Sequence, residues 1–164
     1  MDKLLLVDQI VESLKNSARQ AHHASLDADS EARYGASGSE KKQDARVALE
    51  YSKMAKAHAI REQAARVQLD ALENFRPGPR RSNQGIGIGT IVEIEDEDSG
   101  VGRTFFLAPV GAGMKLSGPD GDGLITVVTP ASPIGKAVLG RRVGDIIDVT
   151  IKGDVREWEI TFAC

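Results

Sequence analysis

Proline and glycine are segregated along this chain, and that segregation limits what each half can become. Residues 1–75 contain no proline and only two glycines, Gly35 and Gly38, whereas residues 77–164 hold all six prolines and the other fifteen glycines. Proline lacks the N–H that a helix interior needs, and glycine loses the most conformational freedom when a helix forms. A half without them favours long helices. A half crowded with them favours short strands joined by tight turns. The boundary is the stretch 75–85 (FRPGPRRSNQG), in which Pro77 stops the helix. The sequence therefore predicts a helical domain over 1–76, a linker over 77–85 and a strand-rich domain over 86–164.

The first half carries a heptad pattern. Leu4, Val7, Val11, Leu14, Ala18, Ala21, Ser25, Ala28 and Ala32 recur at alternating spacings of three and four, which keeps one seam facing a partner helix. Residues 34–39 (YGASGS) interrupt it with two glycines and two serines. A second helical run covers 40–75, with Ala57, Ile60, Ala64, Val67 and Ala71 as its seam. Matched lengths predict an antiparallel hairpin with its tip near 34–44, Leu4 near Leu72, and arms roughly 50 Å long. Bulky residues sit at the base and alanine and serine towards the turn, so the prong is slim. The competing arrangement is an intermolecular coiled coil with no hairpin.

The second half reads as strands over 89–95, 103–109, 124–128, 145–151 and 156–162, with one short helix over 133–139. Residues 157–162 (EWEITF) alternate as a strand with one wet face does. Lys152-Gly153-Asp154 is a tight connection between the last two strands. The expected class is α+β: a helical hairpin beside a small antiparallel sheet wrapped on one helix.

Composition excludes several functions. A net charge of −3 with acids and bases interspersed argues against bulk electrostatic binding to nucleic acid or an anionic membrane. The one cysteine, Cys164, can form no internal disulfide, which fits a reducing compartment. Residues 4–7 (LLLV) are too short for a spanning helix or a signal-peptide core, so a cytoplasmic protein without a membrane partner is expected. His22, His23 and His58 lack the companions of a metal site. The glycine-rich run 85–89 has no lysine after it and leads into a strand, unlike a phosphate loop. The acidic run 93–98 lacks the spacing of a calcium loop. No serine–histidine–acid or cysteine–histidine set is present.

Residues 132–145 (SPIGKAVLGRRVGD) are the most specific stretch. Ser132 can cap the first free N–H groups of a helix, and Pro133 suits its first position. Gly140 can take the left-handed conformation that closes the last turn, and Gly144-Asp145 turn the chain into the next strand. With Val127-Val128-Thr129-Pro130-Ala131 before it and Trp158 and Ile160 in the closing strand, this string closely resembles the C-terminal domain of the Gre transcript-cleavage factors. The resemblance implies an antiparallel coiled-coil hairpin joined to an FKBP-like C-terminal domain. It implies bacterial RNA polymerase as partner, with nascent RNA and DNA met only indirectly. Residues Ser132, Pro133, Ile134, Gly135, Lys136, Gly140, Gly144 and Asp145 would supply the docking surface or its scaffold on the rim of the secondary channel.

In that family the hairpin enters the channel and its acids help to hold a second Mg²⁺ at the polymerase active centre, so that backtracked RNA is cleaved. Two metals about 4 Å apart stabilise the attacking and leaving oxygens of such a displacement, and Mg²⁺ prefers carboxylate oxygens. The corresponding acids here are Asp27, Asp29 and Glu31 before the turn, and Glu40 and Asp44 after it. The cofactor would be the polymerase's Mg²⁺, none being the chain's own. Where the cleavage factors have Asp, two residues, then Glu-Asn-Ala-Glu-Tyr, this chain matches Asp27, Ala32 and Tyr34 but has Ser30, Glu31 and Arg33 between them. The hairpin's centre instead brings Glu40 and Asp44 forward, as in a divergent Gre-like subgroup. The expected protein is a monomeric transcription factor, not itself an enzyme, that modulates elongation. The alternatives are a prolyl isomerase or chaperone on the FKBP-like fold, and a coiled-coil interaction module with no polymerase link.

Overall fold

The computed structural model describes residues 2–34, 41–81, 83–118, 121, 123–151 and 153–164, apart from the side chains of 33, 34, 41–44, 151 and 154. The proline-free half forms two long helices, α1 (Lys3–Tyr34) and α2 (Lys41–Glu73). The other half forms β1 (Ile91–Asp96), β2 (Gly102–Leu107), β3 (Lys115–Ser117), β4 (Leu124–Val128), α3 (Pro133–Val138), β5 (Ile146–Ile151) and β6 (Asp154–Ala163). The expected tip at 34–44 falls largely outside the described residues.

The six strands make one sheet in the order β3-β4-β2-β1-β6-β5. It is mixed, which corrects the expectation of an antiparallel sheet: β2 and β4 run parallel, Phe105 beside Thr126 and Leu107 beside Val128. The cause is β3, a three-residue strand absent from the sequence reading. It pairs antiparallel with β4, Leu116 opposite Ile125, and β4 lies between β3 and β2. The remaining pairs are antiparallel. Gly153, at φ 96°, makes the tight turn that joins β5 to β6.

Side chains on one sheet face, among them Phe105, Leu107, Val92, Ile94, Trp158 and Ile160, form a core with Val138 of α3. Ile134 and Ala137 of α3 pack against that core. Phe106, Ile125 and Val127 alternate with the first set and are buried too. A methyl group on Gly111 would lie 3.1 Å from Ile10 and 3.7 Å from Val127, so the first turns of α1 reach this second face. Leu6 and Ile10 have no exposed surface, and burying such a side chain contributes about 1.5–3 kcal/mol. Gln9 acts beside them: its amide donates to the carbonyl of Ser117 at 3.0 Å and accepts from the Ser117 N–H at 2.9 Å. It thereby occupies backbone groups of the edge strand β3, where an open edge invites pairing with other chains.

The chain divides into two compact units with bounds other than the expected domains. One comprises residues 1–10 and 71–164, the other residues 11–70. Buried Leu6, Ile10 and Leu72 draw the ends of both helices into the first. The stretch expected as a linker belongs to it as well: the Lys3 ammonium donates to the Gly78 carbonyl at 2.9 Å, and Arg80 donates to the carbonyls of Ala163 and Gln84. Burial pushes the Lys3 pKa down.

The second unit pairs α1 and α2 antiparallel, with Ser25 donating to the Ala55 carbonyl at 3.2 Å and His22 lying 3.1 Å from Glu62. The α1 seam holds from Val7 through Leu14, Ala21 and Ala28, whereas Leu4 is exposed. The α2 seam does not. Ala57, Ile60, Ala64, Val67 and Ala71 are all exposed, and the sheltered residues include Tyr51, Ala55, His58, Glu62, Ala65, Leu69 and Leu72. Leu72 sets this rotation. Once it is buried at the base, counting back in threes and fours reaches Leu69, Ala65, Glu62 and His58.

Candidate functional site

The helix α3 and its flanks are built by local chemistry. The Ser132 hydroxyl accepts from the Gly135 N–H at 3.1 Å and donates to the Thr129 carbonyl at 2.8 Å, and Pro133 takes the first helical position. Gly135 is a steric requirement: a methyl group there would sit 1.9 Å from the Thr129 carbonyl oxygen. Gly140, at φ 78°, ends the helix in the left-handed region. Its N–H donates to the Ile86 carbonyl at 2.8 Å, and the Ile86 N–H donates to the Arg141 carbonyl at 2.8 Å. Asp145 closes the following turn by accepting from the Arg142 N–H at 2.9 Å, and the Gly144 N–H donates to Ile160 at 2.8 Å.

The eight residues expected to dock thus fall into two groups. Ser132, Gly135, Gly140, Gly144 and Asp145 hold the backbone, while Pro133 and Lys136 are exposed and Ile134 is half-buried against the core. The same stretch also exposes Leu139 and Val143, both nearly half exposed, with Arg141 and Arg142. This stretch thus exposes cations together with apolar side chains.

Beside Ile134 opens a cleft of about 490 Å³, lined by Arg103, Phe105, Lys115, Leu124 and Thr126. Its aromatic content is small. Phe105 is buried, and the Arg103 guanidinium stands 5.4 Å from the ring centre of buried Trp158, a cation–π contact. The Lys115 ammonium donates to the Thr126 hydroxyl at 2.6 Å.

On α1, Asp27 and Glu31 are exposed and one turn apart, so they share a face; Asp29 is half-buried and points elsewhere. Glu40 lies outside the described residues, and of Asp44 only the backbone, within α2, is described. The described residues contain no group of three or more His, Cys, Asp or Glu side chains placed to hold a metal ion. Among the described residues no helix is long and apolar enough to cross a membrane.

Two charged groups have structural partners. His22 binds Glu62, and that hydrogen bond, with Arg66 beside it, holds the Glu62 carboxyl below its usual range. Asp96 is buried at the end of β1 and accepts from the Ser99 hydroxyl and N–H, each at 2.8 Å. Those bonds, and Arg156 at 3.4 Å, hold its pKa low. One member of the acidic run is therefore a turn-closing residue.

Comparison with known proteins bears on the same segment. The family model of the transcription elongation factor GreA/GreB C-terminal region matches residues 81–162, half of the chain. The chain is 30% identical over 108 residues to the transcription inhibitor protein Gfh1 of Thermus thermophilus, covering 62% of this chain and 65% of that protein. It is 31% identical over 102 residues to transcription elongation factor GreA of Mycobacteroides abscessus, covering 57% and 58%. These matches span less than two thirds of the relatives' own length. The crystal structure of Gfh1 from Thermus thermophilus superposes at a TM-score of 0.39 with 20% identity, covering 96% of this chain and 94% of that one. The fold described above stands on its own strand pairing, independently of that superposition.

Proposed function

This chain belongs to the GreA/GreB family of transcription elongation factors, and from that premise we propose that it binds bacterial RNA polymerase through the secondary channel and modulates elongation. The C-terminal unit docks through the surface around α3, where Pro133, Lys136, Leu139 and Val143 stand on a backbone held by Ser132, Gly135, Gly140 and Asp145. That construction, inside the stretch the family model matches, is the observation that carries the reading. The helical pair enters the channel as a single chain, carrying Asp27 and Glu31 on one face towards the active centre. Any Mg²⁺ met there is the polymerase's own, and the factor is not itself an enzyme. Ser30 stands where the family's second acid belongs, so the reading stops at binding and modulation. Relatives named for inhibition and for elongation are both compatible with it.

The test is retention of core polymerase by the tagged chain at low salt, followed by stalled elongation complexes. Retention that drops on Lys136→Glu with Val143→Glu is the expected result, and no retention at low salt overturns the proposal. Release of short 3′ RNA fragments by wild type but not by Asp27→Ala with Glu31→Ala would extend it to cleavage. An isomerase reading has less support: such enzymes use an aromatic-lined pocket, and here Phe105 and Trp158 are buried.

A further inference from the structure

Helix α2 carries two heptad stripes, and its pairing with α1 uses only one. The other, Ala57, Ile60, Ala64, Val67 and Ala71, is rotated by about 100° from the first and lies in solvent, Ile60 70% and Val67 57% exposed. Single exposed apolar residues are ordinary, but four turns of them in register are the mark of a surface that meets another.

The residues flanking this stripe distinguish the occupants. On one side Lys56, Gln63 and Asp70 follow one another at seven-residue intervals; on the other stand Arg61 and Gln68. Among the described residues no ion pair engages Lys56 or Asp70. The stripe is nearly a palindrome about Ala64, with alanine seven residues to either side and a branched residue between. A second copy laid antiparallel across a two-fold axis at Ala64 sets Ile60 beside Val67 of that copy and Ala57 beside its Ala71. The same operation brings Lys56 within two residues, about 3 Å along the helix, of Asp70 of the second copy, twice, and Gln63 equally near its Gln63. Parallel pairing would instead oppose Lys56 to Arg61 of the other copy, two like charges. The stripe and its flank are thus complementary to themselves in one direction only, as a two-fold interface requires.

We propose that a second copy of this chain seats antiparallel on this face of α2, packed across Ile60, Ala64 and Val67 and oriented by reciprocal Lys56–Asp70 pairs. Alanine at every seventh position lets the two helices approach closely.

Sedimentation equilibrium of the full chain tests this. Wild type should pass from monomer to dimer mass as concentration rises. Ile60→Glu with Val67→Glu should remain monomeric with unchanged helical circular dichroism. Lys56→Asp should weaken self-association by about fivefold, and adding Asp70→Lys should restore it. A wild type that stays monomeric up to about 1 mM overturns the proposal, as does a dimer indifferent to the Ile60 and Val67 changes. Tighter association of Lys56→Asp would mean a parallel pair and overturns the stated geometry.

Discussion

At Gly135 the chain has no room for a side chain, because the first turn of α3 rests directly on the Thr129 carbonyl. Gly135→Ala is expected to cost about 3 kcal/mol, since backbone must move on both sides of the contact; urea denaturation measures it. Asp96 gives a pH signature. Its carboxyl is held below the ordinary value of 3.8 in the folded chain, so the unfolded chain takes up the proton first. Its stabilisation is complete above that ordinary value and is lost as pH falls through the folded one. Asp96→Asn should be less stable at neutral pH and should lose less stability on acidification below about pH 4. The residues legible from sequence were those with local jobs. Ser132, Pro133 and Gly140 act within one turn, and the structure places them as expected. For Gly135 the sequence leaves docking surface and scaffold open, because its constraint comes from Thr129, six residues away, and composition carries no trace of that contact.

Elements were legible where polarity and packing agree. The α1 seam from Val7 to Ala28 is apolar or small, and it is the stripe the helix buries. On α2 the two criteria part: the more hydrophobic stripe is exposed, while the sheltered one includes His58 and Glu62. The polar members are tolerated because Glu62 has partners in His22 and Arg66. Two neighbouring alanines test the rotation. Ala65 is 5% exposed and Ala64 lies in solvent, and the helix propensity change on introducing Asp is the same at both. Ala65→Asp should cost about 2 kcal/mol more than Ala64→Asp, read by thermal or urea denaturation at low protein concentration. Equal costs would mean that α1 meets the other stripe. Strand β3 was illegible for a simpler reason. Three residues, Lys-Leu-Ser, cannot display a period, and their pairing depends on β4 and on Gln9, 108 residues from Ser117.

At the scale of the whole molecule, the exposed stripe on α2 and the proposed entry into a polymerase channel make opposing demands on the helical pair. A slender prong is two helices across; joined to a second copy along α2 it becomes four. Self-association and channel entry are therefore mutually exclusive if both proposals hold, and the competent fraction of the protein falls as its concentration rises. The apparent affinity of wild type for core polymerase should decline over the range in which sedimentation shows dimer. The monomeric variant Ile60→Glu with Val67→Glu should bind without that decline, matching wild type when dilute and exceeding it when concentrated. Weaker binding by the variant at every concentration would assign Ile60 and Val67 to the polymerase contact and remove the case for a second copy. The two outcomes separate because self-association depends on the concentration of this chain alone, whereas a direct contact does not.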